Sequence, residues 1–97
     1  MVSLRFTTKE KQMKYYLGRI EETNGDMEYG SRFVFHTKGS PNKYMQKIAM
    51  EWRGSSKGDW DKELQGFWSD CTLIRDDGWR EIPKEDFDVL SKYLAVL

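Results

Sequence analysis

The chain has 97 residues, enough to build one hydrophobic core and too few for two, so a single domain is expected. Its 16 basic and 16 acidic side chains cancel, which excludes a global field that would draw in polyanions and equally excludes an acidic mimic of nucleic acid. A charged fraction of 33% is offset by 14% aromatic residues, including four tryptophans, and that apolar area predicts an ordered domain rather than a loose chain.

Residues 1–13 open with a short alternation, Val2, Leu4 and Phe6 against Ser3, Arg5 and Thr7, and continue into a polar run. They read either as an extra N-terminal edge strand or as a flexible arm ahead of one domain spanning 14–97. The strongest local signal follows between Lys14 and Thr37, where Asn24-Gly25 separates two strand-like runs. A type I′ turn at this dipeptide pairs Thr23 with Asp26 and puts Tyr16 opposite Phe33, Gly18 opposite Ser31 and Ile20 opposite Tyr29. One face then collects Tyr16, Ile20, Met27, Tyr29, Phe33 and Phe35. Alternation turns Tyr15, Leu17, Arg19, Arg32, Val34 and His36 to the other.

A helix is predicted next, with Ser40 as its cap, Pro41 in its first turn and Gly54 as its stop. Tyr44, Met45, Ile48, Ala49 and Trp52 form its apolar stripe, while Lys43, Lys47 and Glu51 lie away from it. Gly54, Ser55, Ser56 and Gly58 read as the start of a polar connection that runs to about Gly66. A second strand pair is expected from Phe67 to Arg75 and from Trp79 to Ile82, reversing around Asp77-Gly78. From Pro83 to Val96 the helical period returns, with Phe87, Leu90, Leu94 and Leu97 on one stripe and Val89, Tyr93 and Val96 widening it. The fold class that follows is α+β: a mostly antiparallel sheet in ββαββα order, with both helices packed on one face.

The stretch Lys14 to Gly25, with Glu28-Tyr29 after it, resembles the opening hairpin of small uncharacterised bacterial α+β proteins. The ending Gly78-Trp79-Arg80-Glu81-Ile82-Pro83, with Leu90 and Tyr93-Leu94, adds to that likeness. The resemblance implies the fold and no function.

The inventory for chemistry is thin. His36 and Cys71 are the single histidine and cysteine, placed on different strand pairs, and no catalytic residue is assigned. Cys71 reads as a buried structural thiol. One cysteine and one histidine do not make a closed zinc site, Asp59, Asp61, Asp76 and Asp77 lack the spacing of a calcium loop, and Gly54 to Gly58 lacks the order of a phosphate loop. No cofactor and no metal are expected. The lone cysteine, the absence of a leader pattern and the short longest apolar run, Leu94 to Leu97, predict a cytoplasmic chain with no membrane insertion.

Three functions remain. The first is a small non-enzymatic protein-interaction module, an inhibitor or accessory protein of a mobile element, that binds a protein partner or a second copy of itself. Its candidate surface is the outward sheet face, with Tyr15, Leu17 and Val34 as an apolar centre, Arg19, Arg32 and His36 around it, and Trp60 as a separate exposed contact. The second is a single-stranded nucleic-acid binder using Tyr15, Arg19 and Arg32, with Lys14 or Lys38 nearby. The third is a small enzyme of unassigned chemistry.

Overall fold

The structure is a computed structural model and describes residues 12–52 and 59–97. Its order is β1 (Lys14–Asn24), β2 (Met27–Thr37), α1 (Pro41–Trp52), β3 (Gly66–Ser69), β4 (Thr72–Ile82), α2 (Lys84–Leu90) and β5 (Ala95–Val96). The strands form one five-stranded sheet in the order β3-β4-β1-β2-β5, antiparallel except for the β2-β5 pair. The α+β class and the ββαββα succession therefore hold, with a further short strand at the end. The expected edge strand or arm, residues 1–13, lies outside the described residues except for Gln12 and Met13, which are not in a strand.

The first hairpin forms where Asn24-Gly25 predicts it, with a different register. Asn24 pairs with Met27, so Gly25 and Asp26 are the two turn residues and Tyr16 stands opposite Phe35, Gly18 opposite Phe33 and Ile20 opposite Ser31. Gly25 has φ +60° and Asp26 is not among the positive-φ residues. That pattern fits a type II′ turn, which asks for glycine at the first central position, whereas type I′ needs positive φ at both. The shift moves every partner by two residues, and because the side-chain period of a strand is also two, the faces stay as predicted. Tyr16, Ile20, Phe33 and Phe35 are buried as expected; Met27 and Tyr29 lie on the same face but beyond the helix, and are exposed.

α1 covers that face. Pro41 starts it, the Lys43 amide donates to Ser40 Oγ at 3.3 Å, and Met45, Ile48, Ala49 and Met50 are buried against the strands. Met50, absent from the expected stripe, widens the buried face. Tyr44 stacks on Phe35 with ring centres 4.9 Å apart, and the Trp52 indole donates to Glu22 at 3.0 Å. The expected stop at Gly54 lies outside the described residues. Gly18 gives α1 its room: a Cβ there would stand 2.7 Å from Met45 Sδ and 2.9 Å from the Phe33 ring.

The second half of the chain departs further from expectation. Asp77-Gly78 is not a hairpin turn. β4 runs through it and stays paired with β1 on both sides, Ile20 opposite Asp76 and Gly18 opposite Trp79, so that Asp77 and Gly78 together face Arg19 in a bulge. The positive φ that glycine provides, +100° at Gly78, serves that bulge. The reversal sits instead at Asp70-Cys71, with Asp70 at φ +54° and Ser69 paired with Thr72. Cys71 is therefore exposed in a turn rather than buried.

The second helix is shorter than its periodicity predicts. Its regular hydrogen bonding ends at Leu90, and after a turn through Leu94 the chain pairs Ala95 with Phe33 and Val96 with Val34, while the Leu97 amide donates to the Val34 carbonyl at 2.9 Å. The open edge of β2 competes for the backbone that a longer helix would use. Val89, Tyr93 and Val96 consequently remain exposed.

The helices do not share a face. Phe87 of α2 packs with Val34 and Ile82, flanked by Tyr15, Leu17, Leu90 and Leu94, on the side opposite α1. Tyr15 and Leu17 alternate with Tyr16, and Val34 with Phe33 and Phe35, so two separate cores lie on the two sides of one sheet. The expectation of both helices on one face fails because β1 and β2 carry apolar residues on both of their sides, and each side recruits its own helix.

Candidate functional site

α2 is only seven residues long and covers one end of its sheet face. Under it lie four of the sequence-predicted contact residues. Val34 is 0% exposed, so it belongs to the core and is withdrawn as a partner contact. Tyr15 and Leu17 are half-buried, the Tyr15 ring lying 4.9 Å from that of Phe87. His36 stays exposed at the margin, its ring edge-on to Phe87 at 5.7 Å and its Nδ1 3.2 Å from Met13 Sδ. The apolar centre expected to meet a partner is thus covered from within the chain by α2.

Beyond α2 the same face is exposed among the described residues and carries four arginines. Strand pairing places Arg80 beside Leu17, Arg32 beside Arg19, and Arg75 beside Glu21. The remaining positions on this end include Leu73 and Trp68, which pair with each other, and Trp68 is 60% exposed. At the bulge the surface sinks into an open cleft of about 470 Å³ lined by Leu17, Gly18, Arg19, Arg32, Asp77, Gly78, Trp79 and Arg80.

The charges in this region are partly paired. The Arg19 guanidinium bonds the Asp77 carboxylate and lies 3.8 Å from Glu21, which in turn is 3.6 Å from Arg75. The Arg19 guanidinium also lies across Gly30, whose missing side chain leaves it that place. Arg32 and Arg80 make no ion pair among the described residues. Asp76, next to the bulge but on the α1 side, has its pKa raised, first by burial and further by the neighbouring Asp77 carboxylate, while the Gly78 amide bonded to it at 2.8 Å opposes the shift.

The chain matches no protein-family model, no curated protein and no solved structure. Its reading therefore rests on the geometry above.

Of the predicted contacts, Arg19 and Arg32 meet in the open region. Trp60 does not, because it packs half-buried on Phe67 in the α1 core. Trp68 is the tryptophan exposed on the open half of the α2 face. Asp77, Gly78 and Arg80 were missed because Asp77-Gly78 looks like a turn. Read as one strand with a bulge, the same residues bring Arg80 and Ile82 to the Leu17 face. Among the described residues no cluster of three or more histidine, cysteine or acidic side chains is arranged to hold a metal. No helix of the described residues is long and apolar enough to cross a membrane.

Proposed function

We propose that this protein is a small non-enzymatic interaction module whose partner-binding surface is the open half of the α2 sheet face, centred on Arg19, Arg32 and Arg80. The observation that carries the reading is that α2 stops short, leaving Arg32 and Arg80 unpaired among the described residues beside an open cleft. Exposed arginines are among the side-chain types enriched where protein interfaces concentrate their binding energy. The rigid sheet beneath them fixes their spacing before a partner arrives, which reduces the ordering cost of association.

The test is retention of a protein partner by the immobilised chain, compared with an Arg32→Ser/Arg80→Ser variant and with Lys47→Ser on the exposed side of α1. Loss of the complex in the double variant alone supports the surface. Equal retention by all three chains assigns the binding elsewhere and removes the proposal.

A second reading, single-stranded nucleic-acid binding, is favoured by one observation: Trp68 is available for stacking on the face that holds four arginines. It predicts affinity for oligonucleotides that falls steeply with added salt and is lost on Trp68→Ala.

A further inference from the structure

We infer that the bulge cleft is an oxyanion site that takes a phosphate monoester dianion between Arg32 and Arg80, an inference that rests on the open half of the α2 face being the binding surface. Three adjacent strands each send an arginine to this cleft: Arg80 from β4, Arg19 from β1 and Arg32 from β2. Arg80 flanks Leu17 on one side of β1, and Arg32 flanks Arg19 on the other, so the two arginines, which make no ion pair among the described residues, line the recess from opposite sides of β1.

The charge balance selects the ligand. Against three guanidinium groups the lining offers one carboxylate, Asp77, and that carboxylate is already bonded to Arg19. Including the next ion pair, Arg75 with Glu21, leaves the same excess of two positive charges. A dianion neutralises that excess, whereas a phosphodiester or a single carboxylate leaves half of it. Guanidinium groups suit the task because their planar forks present paired donors to the oxygens of a phosphate.

The structure also shows what keeps the recess open. The bulge sets the glycine backbone of Gly78 at the cleft, where a built-on Cβ meets nothing within 4 Å. Arg19 lines the cleft but is bonded to Asp77 and seated over Gly30, which leaves Arg32 and Arg80 to bind the anion. Leu17 completes the lining on this face, whereas the Trp79 indole lies on the α1 side, packed edge-on to Tyr16 and donating to Asn42 at 2.7 Å.

The same dianion can come from a free small molecule or from a phosphorylated group on a larger partner, and the experiment separates the sources. Backbone amide signals of the isotope-labelled protein are followed by NMR during titration with phosphoserine, inorganic phosphate and serine at constant ionic strength. Saturable shifts of Arg32, Gly78 and Arg80 with both phosphates and none with serine are expected. Arg32→Ser and Arg80→Ser should each weaken phosphoserine by about tenfold, Arg80→Lys should fall between because it keeps the charge and loses the fork, and Lys47→Ser should change nothing. A 5′-phosphorylated single-stranded oligonucleotide should then bind more tightly than the same strand with a free 5′-hydroxyl.

Absence of saturable shifts with phosphoserine overturns the inference, and so do unchanged affinities in both arginine variants. Equal binding of the two oligonucleotides, tighter than phosphoserine, also overturns it, since the face would then follow a phosphodiester backbone. If phosphoserine fails while the double serine variant still loses its protein partner, the interaction surface stands without the phosphate. If the double variant keeps its partner, the surface itself was misplaced.

Discussion

Replacing Phe87 by alanine tests whether α2 is part of the fold or a loose flap over a binding surface. Phe87 is 9% exposed, and its ring lies 4.9 Å from that of Tyr15 and 5.7 Å from that of His36, in one cluster with Val34 and Ile82. Truncating a buried phenylalanine costs about 3–5 kcal/mol. A seven-residue helix at the surface can settle into part of the vacated space, so the lower end, about 3 kcal/mol, is expected here. Against a total stability of about 5–15 kcal/mol this is a large loss, equivalent to a fall in melting temperature of roughly 12–24 °C for a domain of this size. Urea denaturation followed by tryptophan fluorescence reads the stability, and binding of a hydrophobic dye reads exposure of Tyr15, Leu17 and Val34. A loss under about 1 kcal/mol, with dye bound by the unmutated protein as well, would show that α2 does not hold this face closed. The apolar patch would then return as a candidate interface.

Further outcomes follow from other positions. Gly18→Ala should cost about 1–3 kcal/mol in the same denaturation assay, because its methyl group meets Met45 Sδ at 2.7 Å and two fully buried phenylalanine rings; an unchanged midpoint would mean α1 is seated farther from the sheet. Asp76 binds its proton more tightly folded than unfolded, so stability should decline as pH rises from the ordinary carboxylate range through the raised pKa, and Asp76→Asn should remove that decline; parallel pH profiles of the two proteins would contradict it. Cys71 should react fully with an alkylating reagent under native conditions, and Cys71→Ser should change stability by no more than about 0.5 kcal/mol; a thiol that reacts only after unfolding would place it back in the core.

The sequence by itself determined the elements whose signals are local. Asn24-Gly25 marks a reversal whatever surrounds it, strand alternation sorts Tyr15 from Tyr16, and Ser40-Pro41 starts a helix whose stripe reads directly from spacing. Even the wrong register of the first hairpin kept its faces, because partners moved by a whole period. What depends on a second segment was not legible. Asp77-Gly78 can close a turn or bulge a strand, and the choice fell to β1, which pairs with β4 on both sides of it. The end of α2 was decided by the open edge of β2, which draws residues 95–96 into the sheet although their apolar period continues the helix. The site followed the same division: Arg19 and Arg32 were visible as outward neighbours on one hairpin, whereas Arg80 joined them only through β4. Val34 looked outward by alternation, yet a helix some fifty residues later buries it. Local backbone preference and side-chain period act within a few residues, but which face is covered, and by what, depends on contacts between segments far apart in the chain.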